Sequence, residues 1–357
     1  MSNDIPNLCQ RLKAGKELTV AYLGGSITQG AGASDPEKTS WRALTTAWLR
    51  SRTSGAIVRE INAGIGGTAS DFGVFRCGAE VLAGHPDLVF VEFVVNDCDH
   101  PSRTLRCMEG IVRQIRRQDE RTDIVFVETV TRELAEKYYA AGEPFPSLIQ
   151  TRRVAQYYGI PEIDVGRALW RQIAAGSDTW AAMTADGTHP TDRGHSLYAA
   201  QVQDWLQARL NSPATAPGRP LPPPFHPQPL ENVHMVAAGR LAGPAWRREI
   251  DTCWGGTREI VSCGQPGDEI AFSFEGDTVG ASWIMDADSG RIECAVDDRP
   301  PEVFSAFDSY CLRFRRLHYF LVDSLPAGTH RVAFRILPES DARSKGTWIR
   351  FHTMFWG

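Results

Sequence analysis

Leu18-Thr19-Val20-Ala21-Tyr22-Leu23-Gly24-Gly25-Ser26-Ile27-Thr28 is the stretch on which the fold turns. A short apolar run stops at two glycines and a serine, which reads as a buried strand, a sharp turn and an exposed hydroxyl at the strand's carboxyl end. Open parallel α/β sheets place their sites at that end. The rest of the first half repeats the rhythm. Strand patterns recur at Ala56–Ile61, Leu88–Val95, Ile124–Val127 and Ile160–Val165. Between them lie helical patterns: Trp41, Leu44 and Trp48 behind a Ser40 cap, then Leu105, Met108, Ile111, Val112 and Ile115, then Leu148–Tyr158. Gly194–Leu210 closes the series with Tyr198, Val202, Trp205 and Leu206 inward. Strands alternating with helices imply a parallel sheet covered on both faces.

Residues 212–229 break the rhythm. Eight prolines, from Pro213 to Pro229, read as a stiff extended linker. Beyond it the period changes to two: Ile270/Phe272/Phe274, Val332/Phe334/Ile336 and Ile349/Phe351/Thr353/Phe355 alternate with polar or small residues. Gly255-Gly256, Pro266-Gly267-Asp268, Ser289-Gly290 and Ala327-Gly328 punctuate the runs, as expected of an antiparallel sandwich. The expected organisation is an α/β domain over 1–211, a linker over 212–229 and a jelly-roll-like β-sandwich over 230–357. A chain of 357 residues accommodates two cores.

The composition narrows the function. Hydrophobic residues are 42%, charged residues 23%, and the net charge is −5, which gives no basic footprint for nucleic acid. No apolar run approaches the roughly 20 residues of a membrane helix. The N-terminus lacks a basic start and an apolar core, so no signal peptide is read and a cytoplasmic protein is expected. The eight cysteines, at 9, 77, 98, 107, 253, 263, 294 and 311, form no C-x-x-C pair and read as free thiols.

Four segments carry chemistry. Gly24-Gly25-Ser26-Ile27-Thr28 offers a nucleophile, and Thr28 in place of glycine sets it apart from the G-x-S-x-G elbow. Asn62-Ala63-Gly64-Ile65-Gly66-Gly67-Thr68 can aim backbone N–H groups at developing negative charge. It lacks the Lys-Ser/Thr ending of a phosphate loop and the spacing of a dinucleotide site. Val94-Val95-Asn96-Asp97 presents the neutral amide donor of Asn96. Asp186-Gly187-Thr188-His189-Pro190 puts a carboxylate three residues before an imidazole, where it can fix the tautomer that accepts a serine proton. Asp186 and His189 have no third ligand at recognisable spacing, so no metal is expected. No cofactor is expected either.

Together the four segments resemble the Ser, Gly, Asn and Asp-x-x-His blocks of the SGNH (GDSL-type) hydrolase family, over roughly residues 18–210. The resemblance implies a flavodoxin-like fold with helices around a five-stranded parallel sheet. It implies Ser26 as nucleophile, Asp186 as acid and His189 as base. The oxyanion donors it implies are Ser26, Gly67 and Asn96, with Gly64 and Gly66 as alternatives to Gly67. The first block departs from the name-giving form by reading Gly-Gly-Ser-Ile-Thr, a form similar to that of members acting on acylated carbohydrates. His195 is the rival base, expected to pack inside the last helix. The expected activity is release of short acyl groups, acetyl first, from a small-molecule or glycan ester. O-acyl transfer, a broader short-chain esterase or lipase, and an inactive carbohydrate-binding protein are the alternatives. In the second domain Trp246, Trp254, Trp283, Tyr310 and Trp348 read mostly as core, and Asp286–Gly290 as a polar hairpin turn.

Overall fold

The computed structural model describes residues 5–210, 220–253 and 256–357. Two compact units divide the chain, Met1–Glu231 and Asn232–Gly357. In the first, five strands form a parallel sheet in the order β2-β1-β3-β4-β5: β1 Leu18–Gly24, β2 Val58–Gly64, β3 Leu88–Glu92, β4 Asp123–Val127 and β5 Glu162–Ile163. This is the flavodoxin-like order. β1 lies between β2 and β3, and Gly64, Gly24 and Glu92 align at their carboxyl ends. The segments that follow these three strands therefore leave the sheet at one level and side by side.

Both faces of the sheet are buried, which is why its strands read as nearly continuous apolar runs. Val20, Tyr22, Phe90, Val125 and Val127 share a core with Trp41, Leu49, Tyr198, Val202 and Leu206. Tyr22 stacks on Phe90 at 5.2 Å, and Trp41 meets Tyr22 edge-on at 5.3 Å. Truncating the fully buried Trp41 to alanine should cost roughly 3–5 kcal/mol. The alternate residues Ala21, Leu23, Val89, Val91, Ile124 and Phe126 are buried on the opposite side of the sheet. Ser40 caps the helix Trp41–Arg52 by accepting the Ala43 N–H, as its sequence position suggests.

Three expectations shift. The run Leu88–Val95 is strand only to Glu92; Phe93, Val94 and Val95 are buried turn, so their apolarity reports burial and not extension. The fifth strand shrinks to two residues, because Asp164 caps the helix Val165–Ala174 by accepting the Arg167 N–H at 2.6 Å. The proline-rich stretch, where it is described, is docked and not a free spacer. Arg113 donates to Pro222 O at 2.8 Å, Glu109 accepts the N–H groups of Phe225 and His226 at 2.6 Å each, and Phe225 stacks on Tyr157 at 4.9 Å. Its part 212–219 lies outside the described residues.

The second unit is two antiparallel sheets. One runs β13-β10-β15-β8-β7, with β6 also on β15; the other runs β12-β11-β14-β9. The strands are β6 His234–Ala237, β7 Arg247–Cys253, β8 Gly256–Cys263, β9 Glu269–Gly276, β10 Val279–Met285, β11 Arg291–Val296, β12 Glu302–Ser305, β13 Arg316–Val322, β14 Gly328–Ile336 and β15 Ile349–Trp356. Phe272, Phe274 and Phe334 from one sheet and Trp283, Phe320 and Phe351 from the other share one core. Trp246 and Trp283 are buried, Trp348 is half-buried, Tyr310 is exposed, and Trp254 lies outside the described residues. Asp286–Gly290 joins β10 to β11, which lie in different sheets, so it is a crossover and not a hairpin. Its carboxylates are taken: Asp288 pairs with Arg350 at 2.8 Å and Asp286 with Arg315 at 2.7 Å.

Candidate active site

The turn that carries Ser26 follows β1. Neither Gly24 nor Gly25 has a positive φ, so their requirement is for space and not for unusual backbone angles. A Cβ on Gly24 would lie 2.2 Å from Thr28 Oγ1, and one on Gly25 would lie 2.2 Å from Asn96 Oδ1. The second contact shows that the Asn96 side chain rests against the residue before Ser26. The two glycines thus let a short helix, Ser26–Gln29, and Asn96, in the segment after β3, close on the same point.

Ser26 Oγ lies 2.9 Å from His189 Nε2, and His189 Nδ1 lies 2.7 Å from Asp186 Oδ2. The Asp186 turn is self-fixed, since Oδ1 accepts the N–H groups of Thr188 and His189 at 2.9 and 2.8 Å. Partial burial pushes the Asp186 carboxyl up, but these bonds outweigh it and hold the group below its ordinary range. Asp186 is therefore a carboxylate at neutral pH, and the Nδ1 facing it carries the proton, which leaves Nε2 as an acceptor toward Ser26.

Of the three glycine amides in the second block, two are engaged within the chain. Gly64 N–H donates to Asn62 Oδ1 at 3.0 Å and Gly66 N–H to Gln29 Oε1 at 2.9 Å. Gly67, at φ +72°, has no partner for its N–H among the described residues. That distinction separates Gly67 from its two neighbours.

His195 is fully buried, with Nδ1 accepting the Trp41 N–H at 3.2 Å and Nε2 lying 3.2 Å from Ala31 O. One nitrogen accepts and the other donates, so the ring is neutral, and burial pushes its pKa down to about 4. It braces the loop after the Ser26 turn. Asp192 does the same by accepting from Ser34 and Thr39.

Sequence reasoning passed over two buried charged residues that build the site from below. Glu92, the last residue of β3, accepts Thr28 Oγ1 at 2.9 Å and Thr129 Oγ1 at 2.7 Å, with backbone hydrogen bonds from Thr28 and Gly25. Burial pushes its carboxyl up to about 7. Arg76, with no exposed surface, donates to Gly24 O at 2.8 Å and to Ala63 O at 2.5 Å, which ties the ends of β1 and β2 together. The available signal was a charge inside an otherwise apolar segment: Val91-Glu92-Phe93 at the end of β3 and Phe75-Arg76-Cys77 in the helix between β2 and β3. Such a charge is retained in a core only when it is paired or hydrogen-bonded. Asp97 extends the scaffold, accepting the Ser70 N–H at 2.8 Å and so fixing the segment after Asn96 to the helix Ser70–Glu80. Among the described residues no three His, Cys, Asp or Glu side chains converge as metal ligands. No described helix is long and apolar enough to cross a membrane.

Residues 22–197 match the GDSL-like lipase/acylhydrolase family model. No curated protein matches the chain. Among solved structures, a two-domain esterase active on acetylated mannans covers 99% of this chain and 95% of its own, at 24% identity and a TM-score of 0.83. A two-domain esterase of the same description, co-crystallized with mannopentaose, covers 99% and 94% at 23% identity and a TM-score of 0.80. Both likenesses concern the fold, and both extend over the two units. With the four blocks side by side at the carboxyl edge of a 2-1-3-4-5 sheet, the α/β unit of this chain belongs to the GDSL-like lipase/acylhydrolase family.

Proposed function

We propose that the chain is a serine carboxylic ester hydrolase that removes short acyl groups, acetyl first, from a carbohydrate. The observation that carries this reading is the unbroken row Ser26–His189–Asp186, with spacings of 2.9 and 2.7 Å. His189 Nε2 takes the Ser26 proton as Oγ attacks the ester carbonyl, because a serine hydroxyl at its own pKa is a poor nucleophile. Asp186 holds the ring and stabilises the imidazolium. The oxyanion is met by the N–H groups of Ser26 and Gly67 and by the Asn96 amide. The alcohol leaves with the proton from His189, and water, deprotonated by the same nitrogen, releases the acid and restores Ser26.

The acetylated-carbohydrate part of the reading is supported by the full-length likeness to an esterase active on acetylated mannans. The test is acetate release from p-nitrophenyl acetate and from a panel of acetylated oligosaccharides, with Ser26→Ala beside the wild type. A serine-directed phosphonate should label the wild type at Ser26. Absence of both labelling and acetate release sinks the reading. Acetylated acceptor in place of free acetate would convert it to acyl transfer.

A further inference from the structure

An open cleft of about 560 Å³ lies beside the Asp-x-x-His turn, within the range of small-ligand sites. Residues of the segments 98–99, 131–138 and 186–188 line it, with Pro146; Ser26 does not. One wall is unusual. The chain leaves β4, makes one short turn at Arg132–Leu134 and continues as a π-helix, Ala135–Tyr139. π-Helical turns are rare, and those that persist are found disproportionately at functional sites. This wall is locked to the triad's own turn, because Arg132 N–H donates to Gly187 O at 2.7 Å.

Position and chemistry together select the occupant. The acyl carbon must sit at Ser26 Oγ, whereas the leaving alcohol must sit where His189 can hand it a proton. The cleft meets the triad at Asp186, whose Oδ2 lies 2.7 Å from His189 Nδ1, so it borders the ring that hands the alcohol its proton. Its lining carries both signs of charge and a half-buried tyrosine ring: Arg132 pairs with Glu136 at 2.7 Å, and Lys137 Nζ lies 5.1 Å from the Tyr138 ring centroid. A long acyl chain gains most from a continuous apolar wall, and the charged side chains Asp99, Arg132, Glu133, Glu136, Lys137 and Asp186 interrupt this one. A polyol fits them: its hydroxyls can donate to carboxylates and accept from cations, while the C–H face of a sugar ring can lie on an aromatic side chain.

We propose that this cleft seats the carbohydrate half of the ester, with the π-helix Ala135–Tyr139 as its wall and Tyr138 as the stacking platform. The proposal rests on the esterase reading above and adds to it the place and residues that select the alcohol. The test compares wild type, Tyr138→Ala and Lys137→Ala on p-nitrophenyl acetate, p-nitrophenyl octanoate and the acetylated oligosaccharide panel. Tyr138→Ala should raise KM for the oligosaccharides about tenfold with little change in kcat, and should lower the oligosaccharide-to-p-nitrophenyl-acetate ratio of kcat/KM accordingly. Lys137→Ala, at an exposed position, should shift the ratio the same way by roughly two- to fivefold. Losses in equal proportion on all substrates, a loss confined to the octanoate, or unchanged kinetics on the oligosaccharides would each overturn the cleft assignment while leaving the esterase reading intact. A wild type that turns over p-nitrophenyl acetate but no acetylated oligosaccharide would overturn the assignment as well. A wild type inactive on every ester would bring down the esterase reading itself, and the cleft assignment with it.

Discussion

Each unit of this protein holds an imidazole against a carboxylate, and the two pairs are nearly superimposable in their bond lengths. His189 Nδ1 lies 2.7 Å from Asp186 Oδ2, and His330 Nδ1 lies 2.6 Å from Asp297 Oδ2. In both, the other carboxylate oxygen accepts a backbone N–H at 2.8 Å, from His189 and from Arg331 respectively. The pairs part company at the second nitrogen. His189 Nε2 faces the Ser26 hydroxyl, a group that can donate. His330 Nε2 lies 2.7 Å from the carbonyl oxygen of Pro326, a group that only accepts. A ring between a carboxylate and a carbonyl must donate from both nitrogens, so His330 is held as an imidazolium, and its pKa is raised chiefly by the Asp297 hydrogen bond. The carboxylate–imidazole bond is therefore no mark of catalysis by itself. The third partner decides whether the pair is a base or a brace.

The largest effects should separate these roles. Ser26→Ala or His189→Ala should lower kcat by about 10⁴–10⁶, whereas His330→Gln should leave it near the wild-type value. Steady-state turnover of p-nitrophenyl acetate checks both. If His330→Gln were as damaging as His189→Gln, or if His195→Ala were dead and His189→Ala active, the contrast would be wrong. Asn96→Ala comes next. It removes one of the three proposed oxyanion donors and should cost about 10²–10³ in kcat with KM little changed.

The row Ser26–His189–Asp186 was more legible in the sequence than the groups that support it, for a physical reason. Ser26 and Asn96 each begin an element, and His189 lies in the short turn before the helix Asp192–Leu210, where local turn chemistry marks them. Asp297 and His330 are 33 residues apart and meet only because β11 pairs with β14, with Val296 opposite Val332. No local pattern carries that register. Arg76 escaped similarly: its helix, Ser70–Glu80, is buried from Ser70 to Cys77 without interruption, so it shows no polar face to betray a helical period. Glu92 was visible as a charge in an apolar strand, but its partners Thr28 and Thr129 follow two other strands. The β-sandwich was legible through alternation at Ile270–Phe274 and Val332–Ile336, whose buried and exposed residues do alternate. The pattern fails at Thr353–Phe355, where three consecutive residues are buried, close to the irregularity in β15 pairing opposite Ser282 and Trp283.

Glu92 gives an intermediate effect with a defined sign. Burial raises its folded pKa from 4.5 to about 7, so the folded protein keeps a proton that the unfolded chain loses across that interval. Stability contributed by this residue therefore falls as pH rises from about 4.5 to about 7. Glu92→Gln cannot ionise. Relative to the wild type it should gain on the order of 3 kcal/mol between the bottom and the top of that window. Urea unfolding at about pH 4 and about pH 8 reads the difference. A difference independent of pH would mean that Glu92 ionises in the folded state as readily as in the unfolded one.

His330 should give the smallest effect, and the sign is opposite. Its folded pKa lies above the ordinary 6.5, so its pairing with Asp297 stabilises fully below about 6.5, and that contribution fades as pH rises through the folded value. Asp297 is substantially exposed, which screens the pair and keeps the effect small. His330→Gln should thus lower the melting temperature at about pH 5.5 and approach the wild type at about pH 9, with no change in kcat at either. A deficit that persists at high pH would assign the loss to packing against Phe274, whose ring centroid lies 5.3 Å away, and not to the charge. A change in kcat would contradict the division of roles directly, because the row Ser26–His189–Asp186 is complete within the first unit.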